Sequence, residues 1–387
     1  MSKPKILYLS DADLNKSGGA QQSMKVLMQG LRQDYEVYIL TPNGQAFNEK
    51  HIVLENYDNF ILRGKNAAKI IRMVIDIFKN IKKVNPDLIH VQMSATLIVI
   101  NFLVRIGAIS KKTKIVFTDR GVYGKYGKST TKSINSIIKK SDKVITTTVV
   151  NQKNYAEKYP YYKEYKDKFT VIHNTAGEKY GYYDRDMQGL IRKINNIDQN
   201  KFVIGLCGRF SKQKNWPLAY EIIKYCKKME NVSFVIILGT DKTNDSHKRA
   251  KQYIEEVKQL VGEKNLKAFI NLNNEEVDKL YYAMDCFLLS SKWESFGRTA
   301  VEAMARNNIV IGTNVDGLAE VIGDEKYTFN TAEEASKIIE NLLVNRDEII
   351  SSKRYFYDRY HKKYEFQRNI EKHKELYSEL LDFTNVR

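Results

Sequence analysis

Short apolar runs alternate with helix-forming segments along almost the whole chain, and the alternation restarts once near the middle. The first series of apolar runs begins at residues 5–10 and ends at residues 169–172. A second series begins at residues 202–207, after a polar stretch rich in Gly, Tyr and Asn. Strands that alternate with helices predict a parallel sheet covered by helices. Two series therefore predict an α/β protein with two Rossmann-like, parallel-sheet domains.

The length of 387 residues fits two domains of ordinary size. We predict an N-terminal domain over residues 1–175, a connection over 176–200 and a second domain over 201–352. Residues 353–387 are rich in Tyr, Lys and Glu and predict terminal helices, the last packing back on the N-terminal domain. Ligands of such sheets bind beyond the carboxyl ends of the strands, so we expect the two domains to face each other across a ligand-binding cleft.

The formal net charge of +17 is unevenly distributed. Residues 1–175 contain 29 Lys and Arg against 14 Asp and Glu, whereas residues 176–387 contain 34 against 32. Residues 101–150 alone hold 11 basic and 2 acidic residues. This concentration of cations indicates that the first half faces something anionic, for which a membrane surface, a phosphorylated lipid and nucleic acid are the candidates.

The cysteines and the hydropathy of the sequence indicate in which cellular compartment the protein resides. Cys207, Cys226 and Cys286 lie in apolar stretches without metal-ligand spacing, so we predict reduced core residues in a cytoplasmic protein. A membrane-spanning helix needs about 20 apolar residues, and the sequence has no such run. We therefore expect neither a signal peptide nor a membrane span.

A turn with two cations follows the first strand of the second series, in the sequence Gly208-Arg209-Phe-Ser-Lys-Gln-Lys214-Asn-Trp-Pro217. Glycine permits a tight turn, and Pro217 suits the first turn of a helix because its missing N–H costs little there. Arg209 can bind phosphate through two N–H groups, and Lys214 adds a mobile charge. Taken alone, such a loop is more often a solvated basic turn. Its register with a glutamate loop further along favours a phosphate site.

That second loop contains Glu294 and Glu302, eight residues apart, after an apolar run at 286–290. If the stretch is helical, eight residues rise roughly 12 Å, about the span from a sugar across a diphosphate to a ribose. The helix start between them would offer free N–H groups and a positive dipole end to an anion. Glutamates at this spacing are common on exposed helices. Glu302, however, lies in an apolar run, where a carboxylate is costly without a partner.

Together these segments resemble the retaining glycosyltransferases of family 4, which have the two-domain GT-B fold. The resemblance rests on Gly-Arg-Phe-x-x-x-Lys at residues 208–214, followed by Glu-x7-Glu at residues 294–302. It covers essentially the whole chain and is strongest over residues 203–325. It implies a GT-B fold and a nucleotide-diphosphate sugar as donor, and it does not specify the sugar.

The resemblance also implies roles for individual residues on the donor side. Arg209 and Lys214 would hold the diphosphate, and Glu294 would bind a hydroxyl of the transferred sugar, so these three form the catalytic group. Glu302 would accept hydrogen bonds from the ribose hydroxyls. The remaining donor-binding positions that the resemblance implies are Gly18, Gly19, Gly239, Ser295, Phe296 and Gly297.

The acceptor side departs from the family pattern. Many relatives have a histidine after the fourth or fifth strand of the first domain, where this chain has Asp119 and Arg120. The usual Pro-Asn-Gly is replaced around Asn174 by His173-Asn174-Thr175. We assign Asp119, Arg120 and Asn174 to the acceptor side. His90 and His173 follow strands and predict hydrogen-bonded structural histidines.

Asp11 and Asp13 have the form of a metal-binding Asp-x-Asp motif, but they follow the first strand directly, where solvated turn carboxylates are the better interpretation. We predict no metal site and no cofactor besides the nucleotide sugar. Arg209, Lys214 and a helix N-terminus would then supply the electrostatic stabilisation that a divalent ion gives elsewhere.

The basic segment at residues 111–143 predicts a membrane contact. Ile134, Ile137 and Ile138 interleave with lysines, as in an amphipathic helix that lies on anionic lipid. The alternative is a solvated basic face whose isoleucines point into the core. The apolar run at residues 95–108 is too short to span a bilayer and predicts a core helix.

From these features we predict a hexosyl- or N-acetylhexosaminyl-transferase, peripheral on the inner face of the cell membrane. It would use a UDP-linked sugar and a glycan or lipid-linked acceptor in bacterial-type cell-surface polysaccharide or glycoconjugate synthesis. The alternatives are a sugar-nucleotide epimerase of the same fold and a basic nucleic-acid-binding protein. The chain lacks the aromatic-basic motifs of nucleic-acid modules, so we predict no nucleic-acid partner.

Overall fold

The computed structural model describes residues 2–11, 13–14, 18–42, 44–46, 48–57, 67–92, 94–240 and 244–381. The chain separates into two compact units. Unit 1 contains residues 1–174 and 367–387, and unit 2 contains residues 175–366. The last part of the predicted C-terminal segment, residues 382–387, lies outside the described residues.

The strands of unit 1 form a parallel sheet. They are β1 Lys5–Leu9, β2 Glu36–Pro42, β3 His51–Leu54, β4 Leu88–Val91, β5 Lys114–Asp119, β6 Lys143–Thr146 and β7 Phe169–Val171. Over the described residues their order in the sheet is β3-β2-β1-β4-β5-β6-β7. The helices are α1 Gly19–Leu31, α2 Ala67–Val84, α3 Ser94–Arg105, α4 Lys128–Lys140, α5 Val149–Lys158 and α6 Tyr162–Tyr165, and the unit also takes the last helix of the chain.

Helices α2, α3 and α4 pack their inner faces into one hydrophobic core. In α4, Ile134, Ile137 and Ile138 are buried, so the isoleucines that the sequence could place on a membrane lie in the core instead. The run at 95–108, predicted to be a core helix, is only partly buried. Its outer side exposes Ile98 by 37% and Phe102 by 49%. The helix period fixes which residues share a face, but only the sheet decides which face is covered.

The last helix, α15 Phe366–Leu380, joins unit 1 through a buried polar network. The hydroxyl of Tyr377 lies 2.5 Å from that of Tyr8 and 2.6 Å from Nδ1 of His90. Nε2 of His90 lies 2.6 Å from the hydroxyl of Thr118. Both ring nitrogens of His90 are therefore hydrogen-bonded, as predicted for a structural histidine. A second buried histidine, His373, lies beside it at a ring distance of 6.2 Å.

Unit 2 has a second parallel sheet. Its strands are β8 Phe202–Arg209, β9 Val232–Gly239, β10 Leu266–Ile270, β11 Cys286–Leu289, β12 Ile309–Thr313 and β13 Thr328–Phe329. Their order over the described residues is β10-β9-β8-β11-β12-β13. The helices are α7 Met187–Ile194, α8 Trp216–Cys226, α9 Asn244–Val261, α10 Asn274–Ala283, α11 Arg298–Ala305, α12 Asp316–Ile322, α13 Ala332–Val344 and α14 Arg346–Lys363.

The order of the strands places the two predicted loops side by side. β8 pairs directly with β11, with Cys286 opposite Ile204 and Phe287 opposite Gly205. Both strands are parallel, so their carboxyl ends lie at the same edge of the sheet. The loop at 210–215 and the loop at 290–297 leave from that edge.

A buried ionic cluster anchors the opposite end of β8 and β11. Asp285 Oδ2 accepts from Nη2 of Arg192 at 2.6 Å and from the amide of Val203 at 2.9 Å. Its Oδ1 accepts from Nζ of Lys353 at 2.7 Å. Burial raises the pKa of Asp285, but Lys353 and Arg192 outweigh it and hold the pKa below its usual value. The carboxylate is therefore charged and fully engaged.

Replacement of Asp285 by Ala should destabilise unit 2 by about 3–5 kcal/mol, because it leaves the buried cations of Arg192 and Lys353 without their counterion. Chemical denaturation followed by circular dichroism measures the change. The matched control is Asp245→Ala, which removes a carboxylate of 78% side-chain exposure from an ion pair with Arg249. It should change stability little. Equal effects of the two substitutions would contradict the buried-cluster interpretation.

Stability should fall as pH drops from about 6.5 towards 4. Burial lowers the pKa of His373 from 6.5 to about 4 and holds that of His90 well below its usual value. The unfolded chain therefore binds protons in this window that the folded chain does not, and this favours unfolding. At pH 5, His373 alone should cost about 2 kcal/mol.

Denaturation midpoints at pH 7.5 and pH 5 measure this effect. His373→Gln should reduce the difference between the two pH values, whatever it does to stability at pH 7.5. His361→Gln changes a histidine of unit 2 whose side chain is 31% exposed, and it should keep the wild-type difference. An unchanged pH dependence in His373→Gln would show that this histidine is not the titrating group.

Candidate functional site

The carboxyl end of β8 carries the first cation of the candidate site. Arg209 is exposed, and its side chain has no hydrogen bond or ion pair among the described residues. Its carbonyl accepts from the indole N–H of Trp216 at 3.0 Å, which ties the strand end to the start of α8. Gly239 lies against it, since a Cβ there would be 3.7 Å from Cα and Cγ of Arg209. The structure thus brings together two of the predicted donor-side residues.

Lys214 is the second cation, and it lies beside Gly208. A Cβ at Gly208 would be 3.2 Å from Cε of Lys214, so the absence of a side chain lets the lysine pass along the strand end. Nζ of Lys214 forms an ion pair with Oε2 of Glu294 at 2.9 Å, and both side chains are mostly buried. Oε1 of Glu294 has no partner among the described residues. One oxygen of this carboxylate is therefore open to a ligand.

Further bonds connect the two loops around this ion pair. The hydroxyl of Ser290 donates to the carbonyl of Lys214 at 2.8 Å. The amide of Lys292 donates to the carbonyl of Gln213 at 2.8 Å, and the side chain of Gln213 donates to the carbonyl of Trp293 at 3.1 Å. The cationic loop and the glutamate loop therefore form a single cross-linked surface.

Gly297 ends the glutamate loop and precedes α11 with a φ of +83°. A side chain there would be strained, and its Cβ would come within 2.9 Å of Leu318. Phe296 is buried, and its ring packs edge-on against Tyr364. Ser295 lies between them and Glu294. The amide of Glu294 donates to Oδ2 of Asp316 at 3.3 Å, a contact that the sequence did not reveal.

The prediction that the whole stretch between Glu294 and Glu302 is helical is wrong. Helix α11 begins at Arg298, so Glu294 lies in the loop and Glu302 one turn inside the helix. The left-handed conformation at Gly297 interrupts the helix between them. The helical rise from Arg298 to Glu302 is about 6 Å, not 12 Å.

Glu302 is only 8% exposed and already has two partners. Its Oε1 accepts from Nε of Arg298 at 2.8 Å, and its Oε2 accepts from the hydroxyl of Tyr281 at 3.1 Å. Cys207, at the end of β8, also borders this carboxylate. Burial, helped by Glu302, raises the pKa of the Cys207 thiol to about 12, so this cysteine stays protonated. The spacing of Arg298 and Glu302 is the i,i+4 pattern that sequence can reveal, whereas the Tyr281 contact is tertiary.

The predicted residues of unit 1 divide into two groups. Nε of Arg120 donates to Gln92 at 2.9 Å and its Nη1 donates to Asn174 at 2.8 Å, so Arg120 and Asn174 lie together beyond β4 and β5. Gln92 was not identified from the sequence. Gly18 and Gly19 lie at the start of α1, which begins at Gly19.

Asp119 has a different setting. Its oxygens accept hydrogen bonds from the hydroxyls of Tyr126 and Tyr155, from Nδ2 of Asn151 and from the amide of Gly121. The carboxylate is buried and fully used within the fold. This arrangement favours a role in holding the loop after β5.

Ion-binding and membrane-crossing features can be stated only for the described residues. Among residues 2–11, 13–14 and the other described ranges, no group of three or more His, Cys, Asp or Glu is arranged to hold a metal ion. Over the same part of the chain, no helix is long and apolar enough to cross a membrane.

Comparison with known sequence families finds two matches that together span most of the chain. The family described as "Glycosyltransferase Family 4" matches residues 17–176. The family described as "Glycosyl transferases group 1" matches residues 187–360, which include both loops of the candidate site. These matches confirm the resemblance on which the sequence interpretation depends.

Individual relatives and structures agree with this assignment. The chain is 25% identical over 320 residues to an uncharacterized 41.2 kDa protein in the cps region of Klebsiella pneumoniae, covering 79% of this chain and 82% of that protein. It is 25% identical over 372 residues to alpha-monoglucosyldiacylglycerol synthase of Acholeplasma laidlawii, covering 88% of each. The crystal structure of Anabaena HepE in complex with UDP and glucose superimposes with a TM-score of 0.76 at 18% identity, covering 97% of this chain and 99% of that one. The predicted GT-B fold class is confirmed.

Proposed function

The chain belongs to glycosyltransferase family 4, and on this premise we propose that it transfers a hexosyl or N-acetylhexosaminyl group from a UDP-linked sugar to a glycan or lipid-linked acceptor. The observation that carries the proposal is the cross-linked pair of loops in unit 2. It offers a free guanidinium, an ion-paired lysine and a half-free carboxylate at one edge of a parallel sheet. Uracil as the base is supported by the UDP in the HepE complex.

Arg209 is the proposed anchor of the donor diphosphate. Its side chain has no partner among the described residues, so it can bind an anion without first breaking another bond. Lys214 is held by Glu294 and can share its remaining N–H groups with a phosphate. Charge-assisted hydrogen bonds of this kind contribute roughly 1.5–3 kcal/mol each. The backbone at Ser295, Phe296 and Gly297 completes the proposed donor contacts.

The proposed chemistry retains the configuration at the transferred carbon. The bond from the sugar C1 to the phosphate oxygen breaks while a bond from C1 to the acceptor oxygen forms on the same face. The acceptor proton passes to the departing phosphate oxygen, so no side-chain nucleophile is required. Arg209 and Lys214 would stabilise the charge on the leaving group, and Glu294 would orient the sugar. We propose that no divalent ion takes part.

The donor assignment predicts that Arg209→Ala and Lys214→Ala each weaken UDP binding about tenfold or more, since each removes a charge-assisted contact. Isothermal titration calorimetry with UDP measures the affinity. In both variants, turnover of UDP-sugar should fall by a factor on the order of 10². The turnover of wild type should persist in excess EDTA. Lys212→Ala removes an exposed cation of the same loop and is the control, with wild-type affinity expected. Wild-type affinity in Arg209→Ala would contradict the phosphate assignment.

A membrane role is supported by the outer surface of helices α2, α3 and α4, which we call the apolar-basic face. It exposes large apolar side chains in and just after α2 and α3, namely Ile71, Ile75, Ile98, Phe102 and Ile106. The three helices carry ten cations, Lys69, Arg72, Lys79, Lys82, Lys83, Arg105, Lys128, Lys132, Lys139 and Lys140. Their one carboxylate is Asp76, which accepts from the hydroxyl of Tyr57.

Such a surface suits an anionic bilayer, because apolar side chains insert and cations meet the headgroups. We therefore propose peripheral attachment to the cytoplasmic face of the cell membrane. A lipid-linked acceptor fits this placement, as does the glycolipid product named for the Acholeplasma relative.

Cosedimentation with vesicles containing phosphatidylglycerol should be strong at low salt and decline as salt rises. Phe102→Ser together with Ile106→Ser should reduce binding about tenfold, because it removes two of the five exposed apolar side chains of the face. Ile350→Ser, which changes an exposed isoleucine of α14 in unit 2, should bind like wild type. Equal binding of the double variant and wild type, or no binding at low salt, would refute the membrane proposal.

A further inference from the structure

The carboxylate of Glu302 has a hydrogen-bond donor on each oxygen and can accept further hydrogen bonds. Nε of Arg298 lies 2.8 Å from Oε1, and the hydroxyl of Tyr281 lies 3.1 Å from Oε2. A carboxylate oxygen accepts about two hydrogen bonds, so each oxygen keeps one free lone-pair direction. The two free directions belong to one plane and start from the two adjacent oxygens of one group.

Tyr281 is itself rigidly fixed. It is fully buried, and its ring packs edge-on against Phe287 at 5.3 Å. Its carbonyl accepts from the side chain of Asn308 at 2.9 Å, which anchors the end of α10. Burial raises the pKa of Tyr281 well above 10, so the hydroxyl stays protonated and acts as the donor to Glu302.

Arg298 approaches the other oxygen and retains unused hydrogen-bonding capacity. It is the first residue of α11, one turn before Glu302. Its Nη2 lies 3.4 Å from the carbonyl of Ala176, whereas its Nη1 is buried without a partner among the described residues. A buried N–H group without a partner is destabilising, because it has lost its hydrogen bond to water. Nη1 of Arg298 is thus available to an acceptor that a bound ligand would supply.

A second arginine–carboxylate pair in unit 2 shows what a closed structural pair looks like. Arg306 binds both oxygens of Asp278, through Nε at 2.8 Å and Nη2 at 3.1 Å. Lys179 adds a third contact to the same carboxylate at 3.3 Å. The guanidinium also lies over the rings of two tyrosines. Glu302 differs, because Arg298 gives it one N–H where Arg306 gives Asp278 two, and because it has two donors where Asp278 has three contacts.

We propose that Tyr281 and Arg298 are positioning residues that aim the free lone pairs of Glu302 at the vicinal 2′- and 3′-hydroxyls of the donor ribose. The inference rests on the proposed function, in which Glu302 binds that ribose. A carboxylate held in this way is already oriented to accept from two neighbouring hydroxyls at once, whereas a freely rotating one must first lose rotational freedom. The pocket therefore selects ribonucleotides over nucleotides that lack the diol.

Isothermal titration with UDP and with 2′,3′-dideoxy-UDP tests this inference. Wild type should prefer UDP by about tenfold or more, because the dideoxy analogue leaves both lone pairs of Glu302 without donors. Glu302→Gln should abolish most of the preference. Tyr281→Phe and Arg298→Lys should each reduce it to a few-fold while leaving the affinity for the dideoxy analogue nearly unchanged. If a thermal-shift screen selects another base, the same pair of that base replaces the uridine nucleotides.

Tyr327→Phe is the matched control. It also removes a buried tyrosine hydroxyl of unit 2, which donates to Ser352 at 2.8 Å away from this carboxylate. It should keep the wild-type preference, even if it lowers stability.

The outcomes separate the two levels of the argument. A wild type that does not distinguish the two nucleotides, or a Glu302→Gln variant that still does, would overturn the ribose assignment and the positioning proposal with it. If Glu302→Gln loses the preference but Tyr281→Phe and Arg298→Lys keep it, the positioning proposal alone fails. An equal loss of affinity for both nucleotides in Tyr281→Phe, with the preference intact, would mark a purely structural contact and also overturn it.

Discussion

The ion pair between Lys214 and Glu294 is the interaction on which the candidate site depends. It joins loops that are about 80 residues apart in sequence but leave neighbouring parallel strands at the same edge of the sheet. Hydrogen bonds from Ser290 and Gln213 secure the same junction. A mostly buried pair holds its geometry better than an exposed one, because water competes less for the charges. Within the part of the chain that the structure describes, the side chain of Arg209 is then a cation without a partner beside a fixed surface.

The number of hydrogen-bond donors around a buried carboxylate distinguishes structural carboxylates of this chain from those proposed to bind a ligand. Asp285 and Asp119 each accept four hydrogen bonds, two on each oxygen, and each anchors its own unit. Among the described residues Glu294 has one side-chain donor and Glu302 has two, and both lie on segments that follow the carboxyl ends of the strands of the second sheet. Residue type alone does not distinguish these two groups. The count of donors around each carboxylate does.

Sequence predicted the alternation of strands and helices and the register of the two motif loops, because apolar patterns are local and parallel strands end at one edge of a sheet. It did not predict that α11 starts only after Gly297, since a glycine near a helix start is compatible with either side of the boundary. It also missed Tyr281, which reaches Glu302 only through the packing of α10 beside α11. The exposed face of α3 was hidden for the same reason, because the sheet decides which side of a helix is covered.

The sheet of unit 1 is formed by strands at residues 5–171, but it is completed by α15, which follows unit 2 in the chain. Tyr8 and His90 bury polar atoms whose partner is Tyr377, and the contiguous unit at residues 175–366 is synthesised between them. While the ribosome is still translating that unit, the Tyr8 hydroxyl and Nδ1 of His90 lack the partner that they have in the finished structure. The second sheet has no such dependence and can mature on the nascent chain. The order of synthesis and the order of completion are therefore reversed for the two halves.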